Sequence, residues 1–218
     1  MSVNYAGNTY FQCSATGFPG GTDAKTLTCW LNITDIASLQ GIFNAVDPTL
    51  GYGYQLGMRN NLLTIWNYGG TPIITTTIGA STWFHCAYTY SSPNNVFYIN
   101  GIQVATTTTA PLNGAPTITQ IGGNQWSEYP RGILVEDMRL YNRVLSLNEI
   151  ITVMNSRTED MIVYGMVAWW PHQCVQSGIT MAATDFKEVF GNRSHSLVVS
   201  AVPSPVAADD RYLQRRQA

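Results

Sequence analysis

Apolar residues along this chain recur at every second position in short runs bounded by Gly, Pro and Asn, which is the period of strands and not of amphipathic helices. From Thr26 to Ile33, Leu27, Cys29 and Leu31 fall on one face and Thr28 and Trp30 on the other, apolar enough on both for an inner strand. Tyr52 to Met58, Leu62 to Asn67 and Pro72 to Ile78 follow as a meander, with Arg59-Asn60-Asn61 and Tyr68-Gly69-Gly70-Thr71 as turns. Trp83 to Tyr90 alternates strictly, turns through Ser91 to Asn95, and continues from Val96 to Ile99. Asn100-Gly101 then predicts a tight hairpin back through Ile102 to Thr107, because both residues tolerate the positive φ of a type I′ turn. Ile118 to Ile121 and Ile133 to Tyr141 extend the series, separated by a loop carrying Gly122, Gly123, Trp126 and Tyr129.

The strand period gives way once. Ser146 and Glu149 make an S-x-x-E capping box ahead of a helix predicted at Leu147 to Asn155, the hydroxyl and the carboxylate each accepting from a free amide. Val163 to Trp170 and Ser196 to Val202 read as two further strands. From Pro203 the composition turns to Pro, Ala, Asp and Arg, so residues 203–218 read as a non-globular C-terminal arm on a single β domain over residues 1–202.

Composition narrows the function. Hydrophobic residues make up 45% of the chain and charged residues only 11%, with Thr, Ser, Asn and Gly filling the difference, a balance suited to strands and turns. A net charge of -2 and a pI near 5.8 supply no field for nucleic acid or an anionic membrane, so neither partner is expected. The longest apolar patch, Gly165 to Pro171, is far short of the roughly 18 residues that span a bilayer. Met1 to Tyr5 carries no basic, apolar leader, which predicts synthesis in a cytoplasm without a signal peptide. Cys13, Cys29, Cys86 and Cys174 lack CxxC spacing and are expected to be buried free thiols.

Two segments carry a family resemblance. Trp83-Phe84-His85-Cys86-Ala87-Tyr88-Thr89-Tyr90 followed by Val96-Phe97-Tyr98-Ile99-Asn100-Gly101 resembles the "W-x-H-v-a-x-t-Y … l-Y-v-N-G" hairpin of laminin-G-like domains. Gly132 to Ile150 resembles the same family's closing "G-x-i-d-D-v-r-i-Y-n-r-a-L-s-x-x-E-I", and Tyr5 to Phe11 with Asp23 to Trp30 its opening, so the likeness covers residues 4–155. It implies a two-sheet antiparallel jelly-roll sandwich of the concanavalin A-like kind. A third stretch, Val167-Ala168-Trp169-Trp170-Pro171 with Asp185, Gly191-Asn192 and His195, resembles "l-v-g-y-W-P-l … D-l-S-G-N-g-n-H", which commonly precedes the domain and here follows it. That order resembles laminin-G-like proteins of bacteriophages and prophages.

Candidate chemistry is sparse. The same fold carries β-glucanases, whose retaining mechanism needs two carboxyls about 5 to 5.5 Å apart. No E-x-D-x-x-E run exists, Glu136 and Asp137 are adjacent and so expected on opposite strand faces, and Glu159-Asp160 follow the helix. His85 occupies a position that the family fills with His for packing. No Gly-x-Ser-x-Gly elbow or phosphate-binding loop occurs. No cofactor is expected. Some laminin-G-like domains bind calcium, for which Asp47 and Asp137 are the candidate ligands. Asp137 is expected instead to orient the closing strand by pairing with Arg139 or Arg143.

Aromatic rings beside amides and carboxylates suit either a glycan or a protein contact, and ordinary packing is the third reading. That mixture occurs at Trp66-Asn67-Tyr68 and at Asn124-Gln125-Trp126-Ser127-Glu128-Tyr129. In the arm, Arg211, Tyr212, Leu213, Arg215 and Arg216 follow a Pro-rich stretch, and two readings stand: a segment that orders by lying across a neighbour, or a disordered tail. The expectation is a non-catalytic virion structural protein of a bacteriophage, a capsid decoration or tail-associated protein bound to neighbouring subunits, with a homo-oligomer among the partners it allows. The alternative is a carbohydrate-binding module for a cell-surface glycan, and the two are compatible on a virion.

Overall fold

The computed structural model describes residues 3–6, 10–123, 128, 131–156, 162–170, 196–198 and 204–205. In chain order the strands are β1 (Val3–Ala6), β2 (Tyr10–Ser14), β3 (Lys25–Ile33), β4 (Gln40–Asp47), β5 (Tyr52–Arg59), β6 (Leu62–Asn67), β7 (Pro72–Thr76), β8 (Phe84–Ser91), β9 (Asn94–Ile99), β10 (Ile102–Thr107), β11 (Ile118–Ile121) and β12 (Arg131–Tyr141). Helix α1 (Leu147–Asn155) follows, then β13 (Met166–Trp170), β14 (Ser196–Val198) and β15 (Ser204–Pro205).

Two antiparallel sheets form the sandwich. The first runs β10-β9-β8-β3-β12-β1-β15, with β13 also on β12; the second runs β14-β2-β11-β4-β5-β6-β7. The 11-residue β12 is long enough to take β1 along its first half and β13 along its second while β3 lines its other side. Leu27, Cys29 and Leu31 point inward from β3, as their alternation predicts, and meet Phe43, Leu56 and Ile65 of the second sheet. Each such buried side chain contributes about 1.5–3 kcal/mol, which is the main force holding the layers together.

Outside the first sheet lies a second, smaller apolar layer. Ile150 and Val153 of α1 pack with Leu145 on Ala87, Tyr141, Met166 and Trp169. The capping box closes at its start: Glu149 N donates to Ser146 Oγ at 3.3 Å and Ser146 N to the Glu149 carboxylate at 2.7 Å. Thr26 Oγ1 fixes the entry to the helix, accepting from Leu145 N at 2.9 Å and donating to Arg143 O at 2.8 Å.

The Asn100-Gly101 hairpin has the positive φ values its sequence predicts, 51° and 76°. Asn100 also ties the hairpin to β8, donating from its backbone N to His85 O and accepting at Oδ1 from His85 N, both at 2.8 Å.

Four differences from the sequence pattern have physical causes or plain bounds. Strand β4 was not expected, because a bulge between Gly41 and Phe43 puts both Ile42 and Phe43 in the core and erases the alternation. The strand expected from Val163 starts at Met166, and of the one expected over Ser196 to Val202 only Ser196–Val198 lies among the described residues. Ser204–Pro205, inside the expected arm, pair with β1. The remaining arm residues, including Arg211, Tyr212, Leu213, Arg215 and Arg216, lie outside the described residues.

Candidate functional site

The acids come first because they decide between chemistry and binding. A register shift between Glu136 and Arg139 inserts a bulge into β12, with Asp137 at φ 53°. The expectation that Glu136 and Asp137 face opposite ways is therefore corrected. Glu136 pairs in register with outward-facing Trp30, and Asp137 turns to the same outer side, where Arg139 and Trp169 hold it. Both acids are buried, so neither lines an open groove. Arg139 donates to the two Asp137 oxygens at 2.9 Å each, and Trp169 Nε1 donates to Oδ1 at 2.8 Å. Arg143 pairs instead with Glu149, at 2.6 and 3.1 Å.

Asp47 caps the turn after β4, its Oδ1 accepting from Thr49 N and Leu50 N at 2.9 Å each. Among the described residues no group of three or more His, Cys, Asp or Glu converges as a metal site would require. His85 is buried with its ring edge-on to Trp30, 5.5 Å between centroids, which is the packing role expected of it. Cys13, Cys29 and Cys86 are buried free thiols, and burial pushes the Cys29 thiol well above its ordinary range. Cys174 and His195 lie outside the described residues.

The second sheet carries a row that no linear motif reveals. Gln12, Gln120, Asn44, Gln55 and Trp66 stand level with one another across five adjacent strands and on the face away from the core. Gln120 Nε2 donates to Gln12 Oε1 and Asn44 Nδ2 to Gly123 O, both at 2.9 Å, while the buried Gln55 Oε1 and Gln120 Oε1 have no hydrogen-bond partner among the described residues. Trp66 is only 1% exposed, and its ring lies so close over Gly57 that a Cβ there would sit 2.7 Å from it. Of the three readings of this aromatic segment, Trp66 is thus placed as packing would place it, enclosed against Gly57.

Tyr68 has a different setting. The loops after Ala15, Asp47, Asn67 and Thr107 meet at one end of the sandwich, where Ala15 N bonds Thr117 O, Gly21 N bonds Gly114 O, and Leu112 N bonds Asn67 Oδ1. Tyr68 is half-buried there beside Gly51, with its hydroxyl directed at Pro48 O. Tyr52 is 36% exposed, Leu50 64% and Leu112 41%. Thr22, Asp23 and Asn113 are exposed beside them, and Thr22 Oγ1 donates to Asn113 Oδ1 at 2.8 Å. The rim thus offers aromatic and aliphatic faces with hydroxyl, amide and carboxylate groups.

Beneath this rim, Lys25 plugs the gap between the sheets. It is 0% exposed, bonds the carbonyls of Gly21 and Asp23 at 2.6 and 2.7 Å, and lies 4.9 and 4.7 Å from the ring centres of Tyr54 and Tyr90. Burial lowers its amine to about 7, with Asp23 opposing the shift. Sequence reasoning missed Tyr52, Leu112 and Lys25 because their sites form from separate loops; the Gly20-Gly21 and Asn113-Gly114 pairs were the visible signal of close backbone approach there.

Asn124, Trp126 and Tyr129 lie outside the described residues. The bounds of their loop are described: Gly122 N donates to Ile42 O, and Gly41 N to Glu128 O, both at 2.9 Å, so it starts and ends on β4.

Comparison with known proteins places this architecture. A family model for the concanavalin A-like lectin/glucanases superfamily matches residues 5–151. No curated protein matches the chain. Among solved structures, a candidate carbohydrate-binding protein from Bacteroides ovatus aligns over 94% of this chain and 61% of its own, at 16% identity and a TM-score of 0.63. This chain thus spans less than two thirds of that one. A native heptameric SAP-like pentraxin from Limulus polyphemus aligns over 71% of this chain and 82% of its own, at 14% identity and a TM-score of 0.55. Domain 4 of an extracellular arabinanase from Geobacillus stearothermophilus, solved with arabinotriose, aligns over 62% and 69% at 21% identity and a TM-score of 0.50. At these identities the likeness is one of fold.

Proposed function

The chain belongs to the concanavalin A-like lectin/glucanases superfamily, and from that membership we propose that it is a non-catalytic carbohydrate-binding module whose site is the loop end around Tyr52 and Tyr68. The observation that carries the reading is the rim itself: part-exposed tyrosine rings and leucines stand beside Thr22, Asp23 and Asn113. Sugar rings present C–H faces that pack on aromatic surface and hydroxyls that bond amides and carboxylates, so this mixture suits them. The placement of the acids favours binding over hydrolysis, since Asp137 is committed to Arg139 and Trp169. Two structural neighbours, the Bacteroides ovatus protein and the arabinotriose-bound domain, are in keeping with a glycan ligand.

Glycan-array binding by the full chain tests this directly. The wild type should bind a defined set of glycans, and Tyr52→Ala with Tyr68→Ala should lose at least tenfold in affinity while unfolding at nearly the wild-type temperature. The site requires no metal, so binding should survive EDTA; loss with EDTA and recovery with calcium would move the site to an ion bound near Asp47. A wild type silent across a broad array would remove the proposal.

A second reading, display on a bacteriophage particle, is favoured by the position of the Trp169-Trp170 stretch. It follows the domain as β13 and closes the first sheet against β12, with Met138 opposite Trp170 and Arg139 opposite Trp169. In this reading the module is a capsid decoration or tail-associated protein, held by its last residues to capsid or tail subunits and able to self-associate. Truncation after Pro205 should then abolish incorporation into particles while leaving the sandwich folded. Normal incorporation of the truncated chain would count decisively against it.

A further inference from the structure

We propose that Lys25 is a proton-controlled clamp on the loop-end site: protonated, it holds the Gly20–Asp23 loop that positions Asn113 and Tyr52, and deprotonated it loosens that hold. The inference rests on the reading of the loop end as the glycan site and assigns that site its regulation.

The path from the amine to the rim is short and continuous. Lys25 is the first residue of β3, and its side chain points inward between a tyrosine of each sheet, Tyr54 on β5 and Tyr90 on β8. Its Nζ donates to Gly21 O and Asp23 O, both on the loop immediately before the strand. That loop is folded on itself by Gly20 N donating to Asp23 Oδ2 at 2.7 Å. It is also joined to the neighbouring loop, through Gly21 N to Gly114 O at 2.9 Å and Thr22 Oγ1 to Asn113 Oδ1 at 2.8 Å. The approach is so close that a Cβ on Gly21 would lie 1.5 Å from Leu112 O. Gly114 in turn lies against Tyr52, where an added Cβ would meet the ring at 2.3 Å. A change in the grip on Gly21 and Asp23 therefore reaches Leu112, Asn113 and Tyr52 without crossing solvent.

The charges around the amine make it the group that changes. Lys25 forms no ion pair among the described residues, and Asp23 is the carboxylate that acts on it. The phenols of Tyr54 and Tyr88 are pushed upward by burial and stay neutral in the relevant range, and the Tyr90 ring offers its face to Nζ. Losing the proton removes the attraction to both rings and turns two charge-assisted bonds into ordinary ones, about half as strong. Burial brings that step to about 7, where an exposed lysine would stay charged.

NMR on the full chain with 13Cε-labelled lysine provides the test. The Lys25 resonance should titrate with a midpoint near 7, and the amide resonances of Gly21, Thr22, Asn113 and Gly114 should move with it. In Lys25→Met those amide movements should vanish. With soluble arabinan, galactan and mannan as probes, affinity for any that binds should fall about fivefold between about pH 6 and about pH 8, the cost of weakening two charged bonds. A Lys25 resonance that titrates only in the ordinary lysine range overturns the clamp, as do loop amides that stay still while it titrates, or an affinity unchanged while they move. If no polysaccharide binds at either pH, the glycan reading is what has failed, and the wild-type titration still decides the clamp.

Discussion

Asp137 grips Arg139 through two parallel bonds of 2.9 Å although the residues stand two apart on one strand. The bulge in β12 makes this possible by turning the Asp137 backbone to φ 53°. Trp169 completes the arrangement, its Nε1 bonded to Asp137 Oδ1 and its ring 5.7 Å from the guanidinium, so β13 is fastened to β12 by side chains as well as by the ladder.

Asp137→Asn should accordingly destabilise the fold by about 3 kcal/mol, because it strands a buried guanidinium without its counter-charge. Urea unfolding measures this. Adding Arg139→Met should restore part of the loss, since an apolar side chain in that position has no charge to neutralise. A near-neutral Asp137→Asn would show that the pair does not anchor the strand.

Trp66→Ala should lower stability by about 3–5 kcal/mol, the usual cost of emptying a large buried site. Its ring packs over Gly57 and is shielded from solvent, so the effect belongs to folding. Differential scanning calorimetry would register it as a large drop in melting temperature. A variant that melts like the wild type but loses glycan binding would return Trp66 to the contact surface.

Local chemistry was legible in the sequence wherever one short segment determined it. Ser146 and Glu149 placed α1 with its observed bounds, and Asn100-Gly101 placed the hairpin, because each motif satisfies its own backbone groups within a few residues. The bulges at Ile42 and Asp137 were illegible for the opposite reason. They add a residue to one strand against its partner, and the alternation that identifies a strand is broken at the residues that matter. The site suffered most. Tyr52, Asn113 and the Thr22–Lys25 stretch come from three segments, and only the packing of separate loops brings them together. Tyr68 falls in the turn that follows the strand, as the Tyr68-Gly69-Gly70-Thr71 run predicts, whereas Trp66, two residues before it, faces an enclosed layer of amides.

The start of α1 should respond to acid. Glu149 is held down to about 2 by its bonds from Arg143 and from the Ser146 amide, against an ordinary value of 4.5. A depressed carboxyl stabilises the fold fully above its unfolded value, and the contribution disappears as pH falls from about 4.5 toward 2. Glu149→Gln should therefore melt lower than the wild type at neutral pH and converge with it near pH 2. Ser146→Ala should cost about 1 kcal/mol at neutral pH by removing the cap. A gap between Glu149→Gln and wild type that is unchanged in acid would rule out the ion pair as its source.

Lys25 should give the whole fold a slope of opposite sign. Its amine titrates at about 7 when folded and at about 10.5 when unfolded, so between those values the unfolded chain carries a proton that the folded chain lacks. Stability then rises with pH across that window, even as the clamp on the Gly20–Asp23 loop loosens. Above about 9 the buried Cys29 works against this trend: its thiol is raised by burial, so the unfolded chain ionises first and gains. The clean interval is therefore from about pH 7 to 9. Urea midpoints should climb there in the wild type and stay flat in Lys25→Met, which has no proton to lose. A wild-type midpoint that is level across that interval would mean the buried amine keeps its charge, and the carbonyls of Gly21 and Asp23 with the two tyrosine rings would then be strong enough to hold an ammonium without a paired carboxylate.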